Sequence, residues 1–313
     1  MELSKSFVFE PLPPIGESQM DQEGEFGVAA KAKAPHPLGR LADLRGKWQG
    51  TGFNTIWRPH FGGDVAHFLE LNLTSETLEF QRIAGAIPNR GLVQKDVNMF
   101  GLNYLQQITD RNVGAGLHFE PGIFARVPAT SDPKEGVTVV RMATIPHGTV
   151  ILAQGDSTSA DETPRPEIPK ASIVPFTIGD PQGLIEFEEM DLKTKTKFRT
   201  AGPGLKGITQ KMVNDPNSVL REAIAGQNIT STIRISTSTK TKAVRGGGVA
   251  NTAFLVGDSE PNAVAAKVTS TFWLEKLDNE ARASQLQYTQ TVLLDFSGLS
   301  WPHVTVATLR RVE

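Results

Sequence analysis

The sequence predicts a mainly β protein: an antiparallel β-barrel, enlarged, with one or two short helices. Three observations predict it. After Gly46 the 313-residue chain is a succession of short runs rich in Val, Ile, Thr, Phe and Leu, and the breaks between them carry Gly, Pro, Asn or Asp. Helical patterning is confined to one stretch, so strands do not alternate with helices, which excludes a doubly wound sheet and an eightfold β/α barrel. No period of 20–50 residues recurs, which argues against a propeller. A long meander must cover or pair its two edge strands, and closure into a barrel does so most simply.

In chain order, residues 1–37 carry Pro11, Pro13, Pro14 and the acidic 21–25 stretch without a sustained apolar period, and read as a flexible N-terminal arm. Residues 38–313 read as a single β-barrel domain, opened by one or two helical turns over 38–45. Strands are expected over 47–56, 66–73, 77–83, 99–109, 116–127, 137–143 and 149–154. The Ser-, Thr-, Asp-, Glu- and Pro-rich residues 155–170 read as an exposed, mobile loop. They open an insertion at about 155–265, for which a lid, an oligomer contact and extra strands all stay open.

Strand texture returns at 184–192. Residues 215–226 then form the best helix in the chain. Asp215 can cap it, Pro216 sits where its missing N–H costs nothing, and Gly226 suits a left-handed stop. The helix can also begin at Thr209, with a break at the proline. Strands follow over 230–239, 267–276, 286–296 and 304–312, for eleven or twelve in all, with a flexible turn at Arg245-Gly246-Gly247-Gly248.

Composition narrows the function classes. A formal net charge of -2 gives no electrostatic basis for a nucleic-acid or anionic-membrane partner. No apolar run approaches the roughly 20 residues of a membrane span. The opening Met1-Glu2-Leu3-Ser4-Lys5-Ser6-Phe7 lacks a basic start and an apolar core, which leads to a cytoplasmic expectation. With no cysteine, thiolate nucleophiles, disulfides, Cys-ligated zinc and iron–sulfur clusters are excluded. The six histidines show neither HxH nor HxxxH spacing, so a zinc hydrolase is a poor fit. No Gly-x-Ser-x-Gly elbow is present, and Gly246–Gly248 is followed by neither Lys-Ser/Thr nor a helix, so it is no phosphate loop.

The strongest candidate residues lie in 286–313. There a Tyr288-bearing run, a break at 297–302 and a second run form the pattern of an antiparallel pair. Alternation puts His303, Thr305, Ala307, Leu309 and Arg311 on one face of the second run. If that face lines a cavity, His303 offers an imidazole and its small neighbours leave room for a flat ligand; the alternative is a histidine bonded to a loop carbonyl. His118 and Glu120 alternate onto one face and form a weak candidate acid/base couple, in which burial would raise the carboxyl pKa. Cross-strand polar pairing is the plainer account. His147, between Pro146 and Gly148, has turn chemistry. His60 and His67 flank Gly62-Gly63 and can cover a barrel mouth, and Trp57 and Trp301 at strand ends suit a mouth or an apolar cap. The alternating lysines at 193–197 and 240–242 read as solvated strand faces.

Gly46-Lys47-Trp48 at the start of the first strand resembles the opening of the calycins, the group that includes lipocalins and fatty-acid-binding proteins. The resemblance implies that Trp48 plugs one barrel end and that Arg310 or Arg311 stacks over it. Within that group the chain looks most like the nitrobindins. The residues that carry this are Trp48-x-Gly50-x-Gly52-x-Asn54, with Asn54 where the family has a third glycine; His118-x-Glu120-x-Gly122 with Arg126 one position displaced; and Tyr288 followed by His303-x-x-x-Ala307-x-Leu309-Arg310. The family's penultimate-strand methionine is absent, Thr291 or Val292 standing near its place. The excess over the family pattern lies in residues 1–38 and about 155–265. What the resemblance implies is a ten-stranded barrel holding haem b, with His303 as the iron ligand and Thr305 and Ala307 beside the macrocycle.

The functional expectation is therefore a barrel that holds an apolar or amphipathic small molecule in its interior, haem b being one form of it. A metal-free carrier of a fatty acid or other hydrophobic metabolite stays open, as does a cofactor-free enzyme using His118 and Glu120. So does a homo-oligomer.

Overall fold

The computed structural model describes residues 36–60, 65–91, 94–145, 148–160, 164–252 and 263–312. The arm expected over 1–37 lies outside them except for His36 and Pro37, as does His147. Ten strands form the wall: β1 Gly46–Pro59, β2 His67–Arg82, β3 Val97–Asp110, β4 Gly116–Val127, β5 Thr138–Ile145, β6 Thr149–Ala160, β7 Ile229–Ser238, β8 Val264–Leu277, β9 Gln285–Phe296 and β10 Leu299–Arg311. Each pairs antiparallel with the next, and β10 pairs back onto β1, so the sheet closes into a barrel. Closure at the β1–β10 seam is tight. A Cβ on Gly52 would lie 2.1 Å from the Val306 carbonyl oxygen and 2.8 Å from the Ala307 Cβ, so only glycine fits there.

Several expectations are corrected. Residues 66–73 and 77–83 are one strand, β2, because Thr74 and Glu76 face inward and find buried partners instead of making a turn. Residues 184–192 form no strand; Leu184 makes a single bridge to Phe176, and Glu188–Met190 is a 3-10 turn. The loop expected from 155 begins later, since β6 runs to Ala160 and pairs with β7. Strand β7, inside the stretch read as an insertion, belongs to the wall.

In place of one helix over 215–226 the structure has the alternative, a start at Thr209 with a break at Pro216, giving two pieces, α1 Gln210–Asn214 and α2 Ser218–Ala223. Thr209 caps α1 by accepting from the Met212 N–H. Asp215 ends α1 rather than capping α2, and its side chain accepts from the Ala171 N–H and Arg221. Helices this short are unstable alone. They are held because Val213, Leu220 and Ile224 pack with Ile168 and Ile173 against the outer face of the wall, on Phe53, Val304 and Val306. Fully burying each such side chain contributes about 1.5–3 kcal/mol.

Residues 164–228 thus cover the outside of the barrel, and they also pair with strand edges left open by splaying. Leu69 of β2 exchanges hydrogen bonds with Phe198 and Thr200, and Phe176 pairs with Ser300 of β10. Beneath this covering, His67 packs among Trp57, Phe187 and Trp301, with ring centroids 4.5–5.4 Å away, and its Nε2 is 3.5 Å from Glu189 Oε2. Also on the outer face, buried Glu275 accepts a hydrogen bond from Gln285, which in turn bonds Gln227 beyond α2. Among the described residues no helix is long and apolar enough to cross a membrane.

Candidate functional site

The lumen is built from the inward face of each strand. At the lower end Trp48, Phe80, Leu286, Ala307 and Leu309 pack with Leu41 and Leu44 of the 3-10 turn Gly39–Leu44. Trp48 is fully buried and donates its indole N–H to the Leu44 carbonyl at 2.7 Å. The Arg311 guanidinium lies 4.1 Å from the Trp48 ring centroid, whereas Arg310 is exposed on the outward face.

Above this apolar floor a polar septum crosses the barrel. Arg141 (β5) donates through Nε to Tyr104 (β3) at 2.9 Å, through Nη2 to Glu120 (β4) at 2.5 Å and through Nη1 to Gln290 (β9) at 2.5 Å. Tyr104 donates to the same Glu120 carboxylate. Beside it, Tyr288 (β9) donates to Glu76 (β2) at 2.5 Å and accepts from Gln106 (β3) at 2.8 Å. Such cross-lumen bonds fix the distance between facing walls.

Electrostatics follow from burial and pairing. For Glu120 the largest influence, desolvation, pushes the pKa up. The Arg141 charge and the hydrogen bonds from His118 and Tyr104 outweigh it and hold the carboxyl at about 2. This reverses the raised pKa expected from burial alone. For Glu76 burial is the largest influence and raises its pKa, against the bonds from Thr74, Tyr288 and Gln106 and the charge of His118. Burial raises both tyrosines well above the usual phenol value, so each stays a donor. His118 and Glu120 are brought together, Nε2 to Oε2, at 3.0 Å.

Toward the upper end the lumen carries a second chain of bonds. Asp110 accepts from the Asn112 and Val113 N–H groups and, at 2.7 Å, from Asn72 Nδ2. That turns Asn72 Oδ1 to Asn54, whose Nδ2 donates to it at 3.0 Å. Asn54 Oδ1 then accepts from Thr305 at 2.8 Å and faces His303 Nε2 at 2.8 Å. Since Asn54 offers an acceptor there, His303 Nε2 is the protonated ring nitrogen. His303 and Thr305 are thus brought to the upper lumen, while Ala307 lies in the packed lower part.

The upper lumen is two-sided. Asn54, Asn72, Asp110 and Thr305 line the β1–β3 and β10 wall, and Ala143, Ala265, Val268 and Val292, with the amide of Gln290 among them, line the β5, β8 and β9 wall. Inward-facing residues keep residual exposure here (His118 14%, Asn54 and Gln290 7%), against none for Leu309 and Ala307 below.

His60 and His67 sit outside the lumen, packed on Phe68 and Phe198 and in the aromatic cluster respectively. Sequence reasoning missed Arg141, Tyr104, Glu76 and the Asn54–Asn72–Asp110 chain. Their signal was a polar residue at an inward position between apolar ones, as in Val139-x-Arg141-x-Ala143.

No family model matches the chain, and no curated protein matches it. Among solved structures, the crystal structure of Rv2717c from M. tuberculosis is similar with a TM-score of 0.43 and 15% identity, over 89% of this chain and 99% of that one. So distant a likeness bears on neither residues nor function.

Proposed function

We propose that the upper lumen of this barrel holds a small amphipathic molecule, and that the protein is a binder or carrier of it. The observation that supports this is the mixed lining: the Asn54–Asn72–Asp110 chain lies across from Ala143, Val268 and Val292, and His118, Asn54 and Gln290 keep residual exposure there while Ala307 and Leu309 below have none. Ligand sites combine such apolar surface with a few placed polar groups. Extraction of the purified protein followed by mass spectrometry tests it. A stoichiometric organic molecule lost in Val292→Phe, which fills the upper lumen, is the expected result. An empty extract together with no binding of apolar probes would overturn it.

The calycin-like and, more narrowly, nitrobindin-like resemblance favours haem b as a second reading. One feature of the site fits it: the Asp110–Asn72–Asn54 chain orients the His303 ring through Nε2–H, the kind of second hydrogen bond that steadies a ligating imidazole. His303 would then hold the iron, which would supply binding of diatomic or peroxide ligands. Hemin titration tests it: a Soret band that weakens in His303→Ala supports haem, and a featureless spectrum removes it. The acid/base reading has less support, because a Glu120 carboxylate held at about 2 by Arg141 is a weak base.

A further inference from the structure

We infer that the molecule held in the upper lumen carries a neutral or cationic polar head, a hydroxyl or an amine, and not a carboxylate or phosphate. This rests on the metal-free form of the lumen reading above.

The charges on the lumen wall carry the inference. Among the described residues facing the middle and upper lumen, the carboxyl groups are Glu70, Glu76, Asp110 and Glu120, and the cations are Arg58 and Arg141. Both cations are committed. Arg58, at the upper rim, pairs with Glu70 at 3.0 Å. Arg141 is 1% exposed and spends all three guanidinium nitrogens on Tyr104, Gln290 and Glu120. Neither therefore offers a counter-charge to a new anion. The imidazoles do not replace them, since His118 turns Nε2 to Glu120 and His303 turns Nε2–H to Asn54.

An anionic head would thus be desolvated beside the Glu120 and Asp110 carboxyls with no partner. That arrangement is unfavourable even before the repulsion is counted. A hydroxyl meets the opposite situation. The acceptor oxygens of the wall are also engaged, but Asn72 Oδ1, Gln290 Oε1 and Asp110 Oδ2 each take one bond and have a second lone pair, so a donating head is satisfied without moving a charge. An ammonium gains the Asp110 carboxyl as well.

The experiment is displacement of Nile red, a neutral apolar dye, from the full chain near pH 7 by three probes of equal tail length: dodecan-1-ol, dodecylamine and dodecanoate, each below its micelle-forming concentration. We expect the alcohol and the amine to displace the dye at concentrations at least about tenfold lower than dodecanoate, a factor worth about 1.4 kcal/mol. In Asp110→Asn the amine should lose several-fold while the alcohol holds. Dodecanoate binding as well as or better than the other two overturns the inference and leaves the lumen reading standing. Failure of Nile red and of all three probes to bind overturns the lumen reading itself, and this inference with it.

Discussion

Arg311 lies over Trp48 with its guanidinium carbon 4.1 Å from the ring centroid, and in the same position donates to the Ala283, Arg45 and Asp43 carbonyls. One side chain near the end of β10 thus ties together β1, the turn before β9 and the 3-10 turn that floors the barrel. A planar cation with a fixed fork can stack and donate in three directions at once, which an ammonium cannot. We expect Arg311→Ala to lower stability by about 2–4 kcal/mol, and Arg311→Lys to recover only a minor part of it. Urea unfolding midpoints measure both.

The Glu120–Arg141 pair makes a sharper prediction. Glu120→Gln leaves a buried guanidinium without its anion and should cost about 3–5 kcal/mol, whereas Glu120→Gln with Arg141→Met should recover much of that. With Glu120 at about 2 in the folded protein, its stabilisation is present above the ordinary carboxyl range and is lost as the pH falls toward 2. That loss amounts to about 3 kcal/mol. A single variant as unstable as the pair would contradict this account.

Glu275 acts in the opposite direction. Burial is the main cause that raises its carboxyl to about 7, against the bond from Gln285 and the charges of Arg310 and Arg165. Its contribution is complete below the ordinary carboxyl value and fades as the pH rises through 7, by up to about 3 kcal/mol. Thermal midpoints between pH 5 and 8 should therefore fall with pH in the native chain and flatten in Glu275→Gln.

His67 gives the covering layer an acid limit. Burial lowers its pKa more than Glu189 raises it, so the neutral ring is the one packed among Trp57, Phe187 and Trp301. The stabilisation is present above the ordinary histidine value and is lost as the pH falls below it. Tryptophan emission should redshift on acidification, and less so in His67→Phe; identical titrations would exclude His67 as the cause.

The closed barrel was legible because alternation survives in strands whose two faces meet different surroundings, as in β10, where His303, Thr305, Ala307 and Leu309 face the lumen and Val304 and Val306 the covering. The single strand β2 was not, because Thr74, Ser75 and Glu76 look like turn residues until the inward partners of Thr74 and Glu76 are known. The helix boundary failed at Asp215 for a similar reason: a good cap in isolation, it is claimed by Ala171 and Arg221. In the site, His118, Glu120, His303 and Thr305 were visible as residue types on one face. Arg141, which sets the charge state of Glu120, was not, because the register that brings it to Glu120 on the neighbouring strand β4 is not written in either run.

The β1–β10 seam has a bearing on how the molecule is made. Its pairs, such as Trp48 with Arg311 and Asn54 with Thr305, join residues about 250 positions apart, so most of the chain must be synthesised before either edge finds its partner. Contacts of such long range make folding slow, and until residues 299–311 arrive β1 and β9 offer unpaired edges to neighbouring chains. Nascent chains stalled before β10 are therefore the form most exposed to aggregation and most in need of a chaperone.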